Sequence, residues 1–476
     1  MQQTDYFYSH ILSHILLAPL LGALIILVLP RKMESAIKWT AVVFSGIAFI
    51  ISVLLFLAYD TTNPNFQFTE YTVWITAFNI SYHIGIEGTA LLLIGLTTFT
   101  IPLALIFSWG SIQKRVKEYY FLFLILELGT LGVFMSLDTI LFYVFWEIIL
   151  IPMYFIIGVW GGERRIYASV KFFLFTIVGS LFMLVAIIWL GLQRGGTFTS
   201  DFLVLQSIAP VIPLNVQIWL FLAFALAFCI KIPLFPLHTW LPDAHTEAPT
   251  AGSVVLAGLL LKLGTFGLLR YNIVLFPQAS ILFAPFMCIL GIVGIIYGAL
   301  LSMVQPDMKR VIAYSSVAHL GFVVMGIFSM TQEGMQGAVI QMVNHGLSTG
   351  MLFLVIGMLY DRRHTRLISE FGGLARVMPR FAVMFALAML ASVGLPGLNG
   401  FVGEFLILLG TLKSPVLHSW AYAVVATTGV IFAAIYLLGL YKRIFFGTVT
   451  NEKNLSLKDL GFREMAILGA MMVFIV

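Results

Sequence analysis

Long apolar runs follow one another along almost the whole chain, and they restrict its fold more than any other feature of the sequence. A helix needs about 20 mainly apolar residues to cross the ~30 Å hydrocarbon core of a bilayer. With 61% hydrophobic and only 10% charged residues, the composition also lies outside that of soluble globular proteins. Runs of spanning length lie at about residues 10–30, 37–58, 84–108, 119–136, 138–160, 168–190, 216–236, 251–270, 279–303, 310–329, 336–360, 380–411 and 418–446.

The two ends of this series need separate treatment. The run from His10 to Pro30 lacks a basic segment before it and a small-residue cleavage site, so it is interpreted as a first membrane helix. The last run, from Met465 to Val476, would form only about 18 Å of helix, so either the chain is truncated or this helix is unfinished. The sequence therefore predicts an all-α polytopic membrane protein with about 14 transmembrane helices.

The basic residues predict the orientation of these helices. Of the 26 lysines and arginines, 21 follow odd-numbered helices, while only Arg194, Arg270 and Lys413 follow even-numbered ones and Lys231 and Lys262 lie inside runs. Because loops on the cytoplasmic side carry the excess of positive charge, the odd-numbered loops are predicted to be cytoplasmic and the N-terminus external. The expected location is the cell inner (plasma) membrane or an equivalent energy-transducing organelle membrane. The net charge of +5 needs no nucleic acid partner to explain it.

No motif for a cofactor or a metal is present in the sequence. Cys229 and Cys288 both lie in apolar runs and form no CxxC pair, which argues against an iron–sulfur centre. His238 and His245 are seven residues apart without a third clustered ligand, so zinc is not expected. There is no glycine-rich nucleotide motif either. We therefore predict neither a cofactor nor a bound metal.

Two lysines in the stretch from Ala227 to Gly264 point to a function inside the membrane. A lysine at the centre of a membrane helix costs about 2.5–3.5 kcal/mol, so it needs water or a partner. Pro233 and Pro236 follow Lys231 and break the helical ladder, which membranes tolerate only where protein or a cavity satisfies the backbone. Lys262 lies roughly 20 Å along its helix, too deep for a side chain that only snorkels to the surface. Both lysines are predicted to be functional.

The polar residues in the apolar runs reveal an internal repeat. Because the repeat spans five helices, an odd number, the second copy is predicted to be inverted in the membrane. The helix-breaking segments KIPLFP and GLPGLNG occupy matching places in the two copies, so the seventh and twelfth helices are predicted to be broken. Three pairs of polar residues share nearly one spacing: 172 residues between Glu147 and His319, 174 between Lys171 and His345, and 173 between Lys231 and Glu404.

These residues have the chemistry of a proton relay. Glu147 lies near mid-membrane, where a nearby ammonium such as that of Lys231 would favour its charged form. Lysine and histidine side chains that exist in both charged and neutral forms can pass protons along bound water, and Lys262 and His319 fit that role. Glu404, in the second broken helix, is predicted to be the exit group. The predicted relay is completed by His345, with Glu127, Lys171 and His238 in supporting roles.

Simpler roles remain open for some members of this set. A buried histidine can bond a carbonyl between helices, and Glu127 either supports Glu147 or only bonds within the bundle. A passive scaffold that anchors neighbouring subunits is a further alternative. Retaining several ionisable groups inside the membrane argues against the scaffold, since each is costly to insert.

Four motifs resemble those of the antiporter-like subunit M family of NADH:quinone oxidoreductase (respiratory complex I), which includes mitochondrial chain 4. The resemblance covers nearly the whole chain and is most specific in the fifth to twelfth helices. Related subunits of cation/proton antiporters and membrane-bound hydrogenases are the alternative, but those antiporters usually have lysine at the position of Glu404. The motifs are FYVFWEIILIPMYFIIGVWGG, KIPLFPLHTWLPDAHTEAPTAGSVVLAGLLLKLG, RVIAYSSVAHLGF and GLPGLNGFVGEFLIL.

The resemblance implies a fold of fourteen helices, with inverted repeats in helices four to eight and nine to thirteen. It also implies one proton pathway, no redox centre in this subunit of the translocase, and antiporter-like neighbours on both sides in the membrane arm. It assigns the coupling pair to Glu147 and Lys231, the central relay to Lys262, its continuation to His319 and His345, and the outward exit to Glu404. The predicted divisions are 1–117 for the first three helices, 118–270 and 271–446 for the repeats, and 447–476 for a cytoplasmic loop and the start of the last helix.

Overall fold

Long helices dominate the computed structural model, which describes residues 6–195 and 197–476. Residues 1–5 of the predicted segment 1–117 lie outside the described residues. In the described part, 12 helices are long and apolar enough to cross a membrane, which confirms the prediction of an all-α polytopic membrane protein. They are Ile11–Val28, Glu34–Ala58, Gly88–Ser111, Val116–Met135, Thr139–Trp160, Arg165–Arg194, Leu214–Lys231, Thr250–Leu275, Pro277–Val304, Met308–Phe328, Gln332–Arg363 and Ala421–Phe445.

The remaining predicted runs also form helices, but shorter ones. The predicted twelfth crossing is split into Pro379–Val393 and Asn399–Leu412, and Gly394 (φ +80°) and Gly397 (φ +97°) lie in the break between them. Because residues with side chains rarely adopt such positive φ values, the glycines make this break possible. Further short helices are Tyr6–Ser9, Phe202–Ile208, Trp240–Glu247, Leu374–Val377 and Phe462–Met472.

The seventh crossing ends earlier than its apolar run. The run was expected to continue to residue 236, but the helix ends at Lys231 and the next one begins at Trp240. Pro233 and Pro236 have no N–H to donate, so an α-helix cannot continue regularly through them. The predicted break therefore begins directly after Lys231.

A β-hairpin lies in the loop between the second and third crossings, and the sequence analysis did not predict it. Gln67–Ile75 pairs antiparallel with Ile80–Ile86. The predicted run at 84–108 accordingly begins as a strand, and its helix starts at Gly88. The hairpin adds a small sheet to a fold whose predicted membrane crossings are helical.

The crossing Thr250–Leu275 is not a uniform α-helix. It contains two π-helical segments, Leu256–Leu260 and Leu268–Asn272, and between them lies the α-helical stretch Leu261–Gly267. Single π turns inside α-helices occur often at functional sites. This stretch carries Lys262.

The chain forms two compact units. Unit one comprises residues up to Gly161, Arg165–Lys231 and Lys262–Ser280. Within it, Asp138 begins the helix Thr139–Ile148 by accepting hydrogen bonds from the backbone N–H groups of Ile140 and Leu141. Its second carboxylate oxygen accepts bonds from the hydroxyls of Ser81 and Ser200, which joins the β-hairpin to the same helix start.

Unit two comprises Gly162–Arg164, Ile232–Leu261 and Ile281–Val476. Two of its helices pack backbone to backbone where Gly291 meets Gly321. A Cβ added at Gly291 would lie 2.8 Å from the carbonyl oxygen of Gly321, so neither position accommodates a side chain. Small residues at such crossings allow the close approach that stabilises helix pairs inside a membrane.

Candidate functional site

In unit one, Lys231 lies in an aromatic surrounding at the end of its helix. Its side chain is buried, with Nζ 5.1 Å from the centre of the Trp146 ring and 5.6 Å from that of Phe172. Glu147, the neighbour of Trp146 in the chain, attracts the ammonium electrostatically without a direct ion pair among the described residues. The rings stabilise the cation through their negative faces. The charges of the predicted coupling pair are thus near each other but separated.

Glu147 lies next to an interruption in the helix of its own crossing. The crossing Thr139–Trp160 consists of two helices that meet at Ile149, three residues before Pro152. One carboxylate oxygen of Glu147, Oε1, is buried and has no hydrogen-bond partner in the described part of the chain. A buried and unused acceptor oxygen is poised to bind a proton or a water molecule.

The other predicted residues of unit one have different surroundings. Lys262 is completely buried between the two π-helical segments. Glu127 is also fully buried and accepts a hydrogen bond of 2.9 Å from the hydroxyl of Ser45. Lys171 is only half-buried, and its Nζ lies 5.5 Å from the ring centre of Tyr167.

In unit two, the structure brings the predicted histidine and exit carboxylate into direct contact. His319 Nδ1 lies 3.0 Å from Glu404 Oε1, and the same oxygen accepts a bond of 3.2 Å from the side-chain amide of Gln341. The ring centre of His345 lies 5.8 Å from that of His319. His319 Nε2 is buried without a hydrogen-bond partner among the described residues. The cluster thus combines a bonded histidine–carboxylate pair with a second ring nitrogen that is available to a proton.

The break in the twelfth crossing lies beside this cluster. A Cβ placed on Gly394 would be 3.0 Å from Glu404 Oε2. The side-chain amide of Asn344 donates to the backbone carbonyl of Asn399, the first residue after the break, over 2.6 Å. Side chains of the helix Gln332–Arg363 therefore hold both the carboxylate and the backbone next to it.

His238 and His245 each pack against aromatic rings. The ring of His238 lies 5.7 Å from that of Phe235 and 5.2 Å from that of Tyr297, while His245 stacks on Phe353 at 4.7 Å. Within the residues that the structure describes, no group of three or more His, Cys, Asp or Glu side chains could hold a metal ion. His238 thus lies among aromatic rings, and its supporting part in the relay stays a prediction.

Two of the buried cations, Lys309 and Arg270, were not predicted to be buried because in the sequence they count as charges of loops. Lys309 Nζ is buried in unit two and donates to the carbonyl of Ala248 over 2.8 Å. Arg270 is buried in unit one, donates to two backbone carbonyls and pairs with Glu87. A charge at the end of an apolar run has the same sequence pattern whether it faces water or folds inward. An Asp two residues earlier, such as Asp307, was the available signal, because it begins a helix and places Lys309 in the first turn.

A further histidine–carboxylate pair lies outside the crossings, in unit one. His83 of the hairpin lies 2.7 Å from Asp201, which begins the short helix Phe202–Ile208. Burial raises the pKa of Asp201, but the hydrogen bond and the charge of His83, with backbone bonds from Val204 and Leu203, outweigh burial and lower it below the ordinary value. This carboxylate therefore stays charged at neutral pH.

A sequence model of the family described as "NADH:quinone oxidoreductase/Mrp antiporter, TM" matches residues 136–432, more than half of the chain. The chain belongs to this family. All six principal residues of the predicted relay fall inside the matched range, whereas Glu127 lies outside it.

Relatives of this family match nearly the whole chain. NADH-quinone oxidoreductase subunit M of Rhodobacter capsulatus is 45% identical, with 96% of this chain and 91% of that protein covered. NADH-ubiquinone oxidoreductase chain 4 of Marchantia polymorpha is 44% identical, with 97% and 91% covered. A chain of respiratory complex I from Thermus thermophilus superposes with a TM-score of 0.87 at 32% identity, covering 98% of this chain and 94% of that one.

Proposed function

We propose that this chain is a proton-translocating subunit of the membrane arm of an NADH:quinone oxidoreductase. Its relatives are named as subunits of that complex. The observation that carries the proposal is the burial of titratable side chains inside the crossings: Lys231, Lys262, His319 and Glu404 are each exposed by 4% or less. Ionisable groups within a membrane are costly and mark proton or ion pathways. Other subunits of the complex supply the electron transfer, since this sequence contains no cofactor motif.

In this proposal, unit one controls the charge of a lysine. Glu147 and Lys231 are close enough to attract each other but are not in contact, so a small change in their separation alters their interaction strongly in a poorly screened interior. Protonation of Glu147 removes the attraction and favours release of the proton from Lys231. Lys262, buried in the same unit, is the central relay group.

Unit two accepts the proton and releases it. His319 binds a proton at Nε2 while Nδ1 remains bonded to Glu404. Because a charged imidazole favours a charged carboxylate next to it, Glu404 releases its own proton as His319 gains one. His345, whose ring lies beside that of His319, is the companion site in unit two.

The repeat organisation is part of the proposal. Two inverted five-helix repeats, at 118–270 and 271–446, are supported by the matched spacings of polar residues and by a helix break in the corresponding place of each copy. One break follows Lys231 directly, and the other precedes Glu404 in the same crossing. Paired breaks of this kind form ion sites in transporters built from repeats. Fourteen crossings result if Phe462–Met472 begins the last one.

Substitution of Glu147 tests the proposal in the assembled complex reconstituted in proteoliposomes. We expect Glu147→Gln to lower proton pumping and coupled quinone reduction roughly tenfold or more, because a loss of ~1.4 kcal/mol suffices for a factor of ten. Glu147→Asp, which keeps the charge, retains part of the activity. Glu163→Gln, which neutralises an exposed carboxylate, is the matched control and leaves pumping unchanged. Normal pumping by an assembled Glu147→Gln complex would contradict the proposal.

A further inference from the structure

A basic groove lies in unit one at the ends of three crossings, and the relay does not use it. Its volume is about 580 Å³. It is lined by the end of Gly88–Ser111 and the loop that follows, by the end of Leu150–Trp160 and by the first turn of Arg165–Gly191. Both loops follow odd-numbered crossings, on the side for which the positive-inside rule predicts the cytoplasm. The groove therefore lies at one boundary between the membrane and water.

The lining of this groove carries only positive formal charge. Lys114, Arg115 and Arg165 are among the residues that line it, and none of its described lining residues is acidic. None of these three cations forms an ion pair in the described part of the chain. Together they leave a concentrated positive charge that an anion can neutralise.

Trp160 fixes one wall of the groove at the level of the membrane boundary. Its indole N–H donates a 2.7 Å hydrogen bond to the backbone carbonyl of Lys114, which links the two loops that form the groove. Tryptophan side chains are enriched at the boundary between lipid tails and head groups. This bond therefore holds together the two loops that form the groove, at the depth expected for lipid head groups.

Two apolar stripes run from the groove along the outer faces of its helices. On one helix, Ile151 and Phe155 are exposed by 56% and 44% and lead at four-residue intervals to Val159 in the lining. On the other, Ile166 lies in the lining, and exposed Val170 and Leu174 follow it at the same interval. Residues four apart share one face of a helix, so each stripe is continuous.

We propose that this groove binds the head group of an anionic phospholipid, whose acyl chains lie along the two stripes. The phosphate is neutralised by Lys114, Arg115 and Arg165, and the tails cover apolar surface that otherwise faces the bilayer. An acidic protein segment would satisfy the cations but would not explain the paired stripes. Basic pockets between membrane helices on the cytoplasmic side are suited to such head groups.

Photo-crosslinking in nanodiscs tests the proposal on the intact complex. The probes are phosphatidylglycerol and phosphatidylcholine, each with a photoactivatable acyl chain, and the crosslinked peptides are located by mass spectrometry. We expect phosphatidylglycerol to label the peptides that carry the two stripes. Lys114→Gln combined with Arg165→Gln lowers its affinity about 30-fold, from ~1 kcal/mol for each cation. The charge-preserving pair Lys114→Arg with Arg165→Lys retains the labelling, and so does Arg194→Gln, which removes an exposed cation elsewhere in unit one.

Several results would overturn this assignment. Equal labelling by phosphatidylcholine would show that the charge of the head group is not recognised. Complete competition by millimolar glycerol 3-phosphate would identify a site for soluble phosphates. Unchanged lipid labelling in the neutralised variant, with loss of a neighbouring subunit on native gels, would identify an acidic protein partner.

Discussion

Two histidine–carboxylate pairs with nearly the same geometry lie in very different parts of this molecule. His319 and Glu404 meet at 3.0 Å inside membrane crossings of unit two, and His83 and Asp201 meet at 2.7 Å between loops of unit one. The second carboxylate oxygen of Asp201 accepts backbone hydrogen bonds from Leu203 and Val204 and thereby begins a helix. Glu404 makes no such helix cap, because it lies inside its helix, and Gln341 is the other donor to it.

The difference shows that a pair's surroundings, and not its contact distance, decide what it can do. Backbone bonds hold the charge of Asp201 in place, so its pair fastens the hairpin to a helix start. Glu404 is bonded by side chains only, next to a break in its helix, and its histidine has a second nitrogen without a partner. A carboxylate held in this way can exchange a proton without the loss of a secondary-structure element.

The largest expected difference in pumping is between variants that neutralise Glu404 and variants that neutralise Asp201. We expect Glu404→Gln to lower coupled quinone reduction and proton uptake in proteoliposomes by roughly tenfold, because an amide carries no exchangeable acid proton. Asp201→Asn, the matched control, keeps an acceptor that can begin the helix and leaves pumping unchanged. Glu404→Lys is expected to assemble and to be comparably slow, since a fixed positive charge repels an arriving proton.

Native gels verify assembly of these variants. If Glu404→Gln and Glu404→Lys both assemble and pump at the normal ratio of protons to electrons, Glu404 is a structural carboxylate like Asp201, and the comparison between the two pairs fails.

Loss of the second donor to Glu404 is expected to have an intermediate effect. Gln341→Leu removes one hydrogen bond from the carboxylate, and a bond of this kind contributes about 0.5–1.5 kcal/mol. We therefore expect pumping to fall about two- to tenfold, less than in Glu404→Gln. Gln341→Glu, measured in the same proteoliposomes, places a second acid beside the first and is not expected to restore the rate. Wild-type rates for Gln341→Leu would show that His319 alone positions the carboxylate.

Disruption of the ion pair between Glu87 and Arg270, which lies outside the relay, is expected to change stability and not pumping. Glu87→Gln leaves the buried Arg270 without its carboxylate, although two backbone carbonyls still accept from it. We expect a loss of about 1–3 kcal/mol, seen as a lower midpoint of thermal inactivation of the complex. Pumping per assembled complex is expected to remain normal. A pumping defect as large as that of Glu404→Gln would place Glu87 in the proton pathway.

The smallest expected effect is the pH dependence of local stability at the His83–Asp201 pair. Because the pKa of Asp201 is lowered in the folded protein, its contribution to stability is present above the ordinary value of 3.8 and is lost as the pH falls through the lowered value. We expect hydrogen-exchange protection of the Leu203 and Val204 amides, corrected for intrinsic rates, to fall at most about fivefold at acid pH. Asp201→Asn removes this pH step. The amides of Ile140 and Leu141, which donate to the fully buried Asp138, are the internal reference.

The membrane crossings could be predicted because the bilayer demands one property, an apolar run of fixed length, that the sequence displays directly. The bilayer imposes no such requirement on the hairpin Gln67–Ile86, and in sequence its two short strands of mixed polarity resemble an ordinary loop. The π-helical segments around Lys262 were not predictable either: Leu256–Leu260 is uniformly apolar, Leu268–Asn272 also contains Arg270, Tyr271 and Asn272, and neither composition distinguishes a π turn from an α turn. Local composition does not reveal one extra residue in a turn.

The candidate site was predictable to the extent that its residues violate the apolar pattern. Lys231, Lys262 and Glu404 stand out because charge inside a run is costly. Lys309 and Arg270 did not stand out, since their burial depends on how the ends of their helices pack. The contact of His319 with Glu404 joins residues 85 positions apart, and no local pattern specifies such a pair.

The two π-helical segments of the helix Thr250–Leu275 are expected to let it tolerate certain single-residue deletions. A π turn accommodates about one residue more than an α turn, so each of its two π-helical segments rotates the following part of the helix by about 100°. Deletion of one residue within either segment converts it to α-helix and leaves both ends of the crossing in their original phase. The same deletion within Leu261–Gly267 would rotate one end against its neighbours. In genetic terms, single-residue deletions are therefore expected to be tolerated on either side of Lys262 and not at the turn that carries it.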